Sequence, residues 1–141
     1  MPPVIDVNGW AVLVGSVAAM VLGFVWYMPA VFGKIWMEGT SRTVTGIEQA
    51  KKTMNMNLIF GLQFVGWLLG AYVLAHFAGY AGATTAVAGA QAGFWAWLGF
   101  VMPVNLGATL WDRHSWGSFA VTTGYNLVSL LIIGAIIGAW R

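Results

Sequence analysis

The chain has 141 residues, of which 60% are hydrophobic and 7% are charged, and its formal net charge is +2. An ordinary soluble domain carries about 25% charged residues, so this composition excludes a typical soluble protein. Nucleic-acid binding needs many clustered cations, so we expect no nucleic-acid partner. The sequence has no cysteine, which excludes disulfides, thiolate metal sites and cysteine nucleophiles.

Four apolar segments are each long enough to cross a bilayer, which takes about 20 helical residues. They lack the alternation of roughly ten-residue β-barrel strands, so we predict helices. The segments cover residues 9–28, 57–77, 87–110 and 115–140. The sequence therefore predicts an all-α fold, a polytopic transmembrane bundle of four helices in a single domain surrounded by membrane lipids.

The cations lie mainly in two of the connections between spans. Those in the loops after the first and third spans are Lys34, Arg42, Lys51, Lys52 and Arg113. The connection at residues 77–86 carries no charge. Because positively charged loops stay in the cytoplasm, we expect a multi-pass protein of the inner (plasma) membrane with both termini outside the cytoplasm.

The loop between the first and second spans contains two helical sequence patterns. Residues 30–39 predict a short amphipathic cytoplasmic helix with Phe32, Ile35 and Trp36 on one face. A loop at residues 41–46 follows. Thr45 and Glu48 then match a capping box, which predicts a helix that runs from residue 46 straight into the second span.

The two halves of the chain share short motifs. Met28-Pro29 with Gly33 and Trp36 is similar to Met102-Pro103 with Gly107 and Trp111, and Gly61-x-Gln63-x-Val65 is similar to Gly124-x-Asn126-x-Val128. The matches fit two parallel two-helix repeats of the same orientation, and the alternative is chance similarity between apolar motifs. Pro103 removes a backbone hydrogen bond, so we expect it to kink the third helix.

Polar side chains inside the spans define the candidate site. At helical spacing, a stripe on the third span runs from Gln91 through Trp95 and Asn105 to Thr109. Polar faces should point inward, because amides that face lipid lack partners. We therefore expect a cluster on the cytoplasmic side with an aromatic wall, formed by Gln63, Asn105, Asn126, Thr109, Thr122, Trp67 and Trp95.

This cluster has two interpretations. The amides can form interhelical hydrogen bonds, which contribute on average about 0.6 kcal/mol each. Alternatively, they line a polar cavity that binds a small amphiphilic solute. All four carboxylates lie outside the predicted spans, which argues against a proton-coupled transporter.

Glycines at spacing four allow helices to approach closely. Gly134 and Gly138 lie on an Ile- and Leu-rich surface of the last span, almost opposite Asn126. We interpret this pair as a candidate subunit contact of a homo-oligomer.

The sequence predicts no enzymatic activity, no catalytic residue, no cofactor and no metal site. His76 and His114 fall at opposite ends of the predicted bundle, so they cannot share one metal ion. Asp112, Arg113 and Ser115 adjoin His114, but neighbours in sequence do not form a catalytic triad. We expect a turn here, with Ser115 as the cap of the fourth span.

A signature in the first half is specific enough to indicate a family. It reads Trp26-Tyr27-x-Pro29-x-x-Phe32-Gly33-x-x-Trp36, and it is followed by Gly93-Phe-Trp-Ala-Trp-Leu-Gly99 and Leu110-Trp-Asp-Arg-His-Ser-Trp116. The chain resembles, over nearly its whole length, the four-span membrane family catalogued as domain of unknown function 1761. This resemblance implies a small, mainly bacterial integral membrane protein and carries no established activity, substrate or catalytic residue.

Two functions follow as expectations. The first is a non-enzymatic membrane protein that acts through helix packing with itself, with lipids or with a membrane protein partner. The alternative is binding or transport of a small amphiphilic solute through the polar cluster.

Overall fold

The computed structural model describes residues 4–40 and 43–140. Within these ranges the chain is helical and contains no strand, which confirms the all-α prediction. The helices are α1 (Gly9–Trp26), α2 (Lys34–Gly39), α3 (Val44–Thr53), α4 (Met56–Tyr80), α5 (Ala86–Ala96), α6 (Met102–Asp112) and α7 (Trp116–Ala139). Two π-helical turns, Pro29–Gly33 and Trp97–Val101, precede α2 and α6.

Four helical segments of the described chain are long and apolar enough to cross a membrane. They are Gly9–Trp26, Met56–Tyr80, Ala86–Asp112 and Trp116–Ala139. Each covers one of the predicted spans, with ends that differ by at most three residues. The sequence pattern that sets these lengths is the uninterrupted run of apolar residues between polar caps.

Side-chain caps set where the spans begin. Asn8, Asn55, Thr85 and Ser115 each accept a hydrogen bond from a backbone N–H in the first turn of the helix that follows. The predicted cap at Ser115 is confirmed. Arg113, in the left-handed conformation with φ of 59°, ends α6 just before it.

The prediction for the linker helix was wrong at both ends. The Thr43 side chain, rather than Thr45, accepts the Gly46 N–H at 3.0 Å, so α3 starts two residues earlier than the capping box suggested. The helix then stops at Thr53. Asn55 causes the break, because its side chain accepts the Leu58 N–H at 3.2 Å and so starts α4 as a separate helix. Residues 41 and 42 of the predicted loop lie outside the described residues.

The irregularity that we expected at Pro103 lies just before it. The Met102 N–H donates to the carbonyl of Trp97, five residues back, within the π-helical turn. An extra residue per turn rotates the following residues by about 100° relative to an ideal helix. The predicted continuous stripe is therefore wrong: Gln91 and Trp95 are exposed, whereas Asn105 is half-buried and Thr109 is buried.

Helix α7 lies at the centre of the packing and contacts α1, α4 and α5. Small residues allow its closest approach, because a methyl group at Gly89 would collide with the carbonyl of Gly134. Gly138 lies against Thr85 and Gly89 in the same way. The interpretation of Gly134 and Gly138 as a subunit contact was therefore wrong, since both are buried within the chain against α5.

Aromatic side chains fix the other spans onto α7. The indole Nε1 of Trp26 donates to the Val121 carbonyl at 2.8 Å, the indole Nε1 of Trp97 donates to the Thr123 carbonyl at 2.9 Å, and the Tyr125 hydroxyl donates to the Ala19 carbonyl at 2.7 Å. These bonds hold α1 and the middle of the third span against the first half of α7.

The two proposed repeats agree in their helix neighbours but not in their Met-Pro motifs. Within each half the two spans touch, as α1 with α4 and as α5 with α7. Met28-Pro29 comes after the end of α1, whereas Met102-Pro103 starts α6 within a continuous span. The internal repeat stays a prediction.

Candidate functional site

The linker between the first two spans forms one side of a groove. The π-helical turn, α2 and α3 lie beside the ends of α1 and α4 and leave a cavity of about 840 Å³. Two further cavities, of about 760 and 320 Å³, share part of its lining. We call these three cavities together the linker groove. Their volumes fall in or near the range of about 300 to 1,000 Å³ that is typical of ligand sites.

The walls of the linker groove are largely apolar. Trp36, Ile47 and Ile59 line the two larger cavities, and Phe60 lines the largest and the smallest. Phe60 also packs edge-to-face on Phe24 of α1, with ring centroids 5.3 Å apart. Such walls can cover an alkyl chain or an aromatic ring.

Hydrogen-bonding groups reach the same space from α1, α4 and α7. In the described structure the exposed side chain of Gln63 has no hydrogen-bond partner, and it lines two of the three cavities. The Tyr27 hydroxyl donates to Thr122 Oγ1 at 3.4 Å, and its ring packs edge-to-face on Trp36. Burial raises the pKa of Tyr27, so its phenol stays protonated at neutral pH.

Lys51 brings a positive charge to the groove. It lines all three cavities, and it makes no ion pair with any carboxylate of the described chain. Glu48 lines only the largest cavity. Lys52, the next residue, lines none of the three cavities that the described residues form. Lys51 is therefore the charged group that the three cavities have in common.

A second, polar cavity of about 240 Å³ lies on the other side of Trp36 and Thr122. Its lining includes Thr40, Asn105, Thr109, His114, Ser118 and Thr123. The Asn105 amide donates to Thr123 Oγ1 at 3.4 Å. Trp36 and Thr122 line both this polar cavity and the linker groove.

The structure divides the predicted cluster into separate groups. Gln63 lies in the linker groove, and Asn105 and Thr109 lie at the polar cavity. Asn126 is half-buried, and its side chain has no hydrogen-bond partner among the described residues. No pair of these three amides is hydrogen-bonded in the described chain. The π-helical turn contributes to this separation, because it turns the two halves of the third span to different faces.

The two predicted wall tryptophans take different positions. Trp95 is 66% exposed and lines none of the cavities described above. Trp67 packs edge-to-face on Tyr125, with ring centroids 5.8 Å apart. Among the described residues, the buried Trp67 Nε1 and Ser129 Oγ have no hydrogen-bond partner.

Sequence reasoning missed Lys51 and Tyr27 as groove residues. From the sequence alone, Lys51 is expected to lie beside the lipid headgroups, and Tyr27 is expected to be an aromatic residue of the membrane interface. The available signal was the amphipathic pattern of α3, where Ile47 and Lys51 are one turn apart and so share a face. That pattern indicates that α3 lies against something apolar, but it does not say which span.

The fold and the groove define a small helical membrane protein whose linker covers a cavity of ligand size. The family model described as protein of unknown function (DUF1761) matches residues 10–138, and the chain belongs to this family. No curated protein and no solved structure gives a significant match. The expected family is confirmed, and membership assigns no activity.

Proposed function

We propose that this protein is a non-enzymatic, multi-pass protein of the inner membrane that binds an amphiphilic molecule in the linker groove. The observation that carries the proposal is the groove itself, where apolar walls meet the unpartnered side chains of Gln63 and Lys51. An amphiphile needs both kinds of surface at one site. By the positive-inside rule, the groove opens on the cytoplasmic side.

The Gln63 amide supports binding at the linker groove, whereas the Asn105 amide forms an interhelical bond to Thr123 of α7. If the amides held the helices together, Gln63 would be bonded to a neighbouring helix. In the described residues it has no partner and borders open volume instead. A polar group without a partner in an apolar environment carries a desolvation cost, which a ligand with a complementary group removes.

Retained ligand tests this proposal. Native mass spectrometry of protein extracted gently from its own membrane should find a stoichiometric small-molecule mass on the wild type. The variant Ile59→Trp puts an indole ring into the wall that the two larger cavities share, and it should reduce that mass. The matched control Leu58→Trp puts the same ring on the preceding residue, which is 57% exposed, and should keep the mass. A bare wild-type protein, or equal retention in both variants, would contradict the proposal.

Self-association is a second candidate function, and one observation favours it. Gln91 is exposed on α5 near the exposed Trp95, and its side chain has no partner in the described chain. An amide that faces lipid gains most from a partner on another helix, so this face suits a contact with a second copy. Gln91→Leu should reduce the crosslinked dimer in membranes. An unchanged dimer yield would assign the contact elsewhere.

A further inference from the structure

We propose that the amphiphile is an anion with a single alkyl chain, whose carboxylate pairs with Lys51. This inference rests on the proposed function of the linker groove and adds the chemical class of its ligand. Its starting point is charge complementarity, because Lys51 lines all three cavities and no described carboxylate pairs with it.

The donors near Lys51 match a carboxylate. Two cavities of the linker groove, those of about 840 and 320 Å³, share the lining residues Tyr27, Gln63, Lys51 and Phe60. An ionised carboxylate only accepts hydrogen bonds, and the ammonium of Lys51 and the amide N–H groups of Gln63 only donate to it. Charge-assisted bonds of this kind are roughly twice as strong as neutral ones.

The neighbouring charges restrict where the headgroup lies. Glu48 repels an anion, but it lines only the largest cavity, whereas Lys51 is the charged residue of the other two. The headgroup therefore fits at Lys51 on the side where Gln63 and Phe60 meet. The apolar wall of Ile47 and Ile59 then receives the chain.

The size of the largest cavity favours a ligand with one alkyl chain. The largest cavity, about 840 Å³, falls in the range that encloses a drug-sized ligand. A two-chain phospholipid is larger, and its attraction to a surface lysine needs no groove. Attraction of that general kind would act on Lys51 and Lys52 alike, at about 1 kcal/mol each.

A comparison of two ligands with the same alkyl chain but different headgroup charge tests the inference. The full-length protein is placed in phosphatidylcholine nanodiscs at alkaline pH, and equilibrium binding is measured for oleate and for monoolein, which carries the same chain on a neutral headgroup. The wild type should bind oleate about tenfold more tightly, the effect of one charge-assisted hydrogen bond. Lys51→Gln should reduce oleate affinity to that of monoolein. Lys52→Gln should keep the preference, and Glu48→Gln should increase it.

Four other outcomes would each overturn one part of the proposal. Equal binding of oleate and monoolein by the wild type overturns the anionic ligand and leaves the proposed function in place. Failure to bind either amphiphile overturns the proposed function itself. Equal losses in Lys51→Gln and Lys52→Gln indicate surface attraction and overturn the pairing with Lys51. If a low mole fraction of phosphatidylglycerol in the nanodisc displaces oleate, the ligand is a phospholipid and the single-chain ligand is overturned.

Discussion

The substitution Gly89→Ala tests the helix contact that holds the third span on α7. A Cβ atom at Gly89 would collide with the Gly134 carbonyl and would lie 3.0 Å from the Cα of Gly138. Both are backbone atoms, so no side chain can rotate away and the two helices must separate. Overpacking of this kind costs about 1 to 3 kcal/mol.

The net effect is smaller than the steric cost, because alanine favours helix over glycine by about 1 kcal/mol. We therefore expect Gly89→Ala to lower the free energy of unfolding by up to about 2 kcal/mol. Gly66→Ala is the matched control, since a Cβ there meets no described atom within 4 Å. That variant should be neutral or more stable by up to about 1 kcal/mol.

Reversible unfolding by sodium dodecyl sulfate in mixed micelles, followed by far-ultraviolet circular dichroism, measures both variants. The expected difference between them is about 2 kcal/mol, or more than tenfold in the unfolding equilibrium constant. If Gly89→Ala were as stable as Gly66→Ala, the close approach of α5 to α7 described above would be refuted.

The same unfolding assay checks two further predictions. Trp97→Phe removes the indole hydrogen bond to the Thr123 carbonyl and should lower stability by about 0.6 to 1.7 kcal/mol. The control Trp95→Phe, at an exposed position, should change stability by less than about 0.5 kcal/mol. Equal effects would contradict the assignment of Trp97 to the helix contact. Ser129→Ala removes a buried hydroxyl that has no hydrogen-bond partner in the described chain, so it should be neutral or stabilising by up to about 1 kcal/mol. A clear loss of stability would show that this hydroxyl is hydrogen-bonded.

The spans were predictable because each depends on composition alone. An apolar run of sufficient length between polar caps gives a membrane helix whatever its neighbours are. The structure moves the ends of the four segments by at most three residues. The cap at Ser115 was also predictable, because a serine just before an apolar run is a local signal.

The linker and the third span were less predictable, because competing local signals decide them. Thr43 and Thr45 are equally good caps by residue type, and the structure uses Thr43. The break before α4 depends on Asn55, which reads equally well as a helix residue. Pro103 favours an irregular turn such as the π-helical turn at Trp97–Val101. The sequence does not show in which turn the backbone hydrogen bonds change from spacing four to spacing five.

The candidate site was predicted only in part, since it depends on which helices are neighbours. The sequence predicted Gln63, Asn105 and Asn126 as one cluster on the cytoplasmic side, but helical spacing does not say whether different helices present them to a common surface. The linker groove depends on where α3 lies relative to α4, because residues of both helices line it, and periodicity alone does not specify that arrangement. Gly134 shows the same limit, because a small-residue motif does not distinguish a partner in the chain from a second copy.

Photocrosslinking shows directly whether an amphiphile occupies the linker groove. The wild-type protein in nanodiscs is labelled with a monoacylglycerol that carries a diazirine in its chain, and the labelled residues are mapped by mass spectrometry. We expect saturable labels at Ile47, Ile59 and Phe60 that excess unlabelled monoolein removes. Labels of equal density at Leu62 and Leu69, which are 62% and 64% exposed on α4, would contradict it, because they would show an ordinary lipid contact rather than a site.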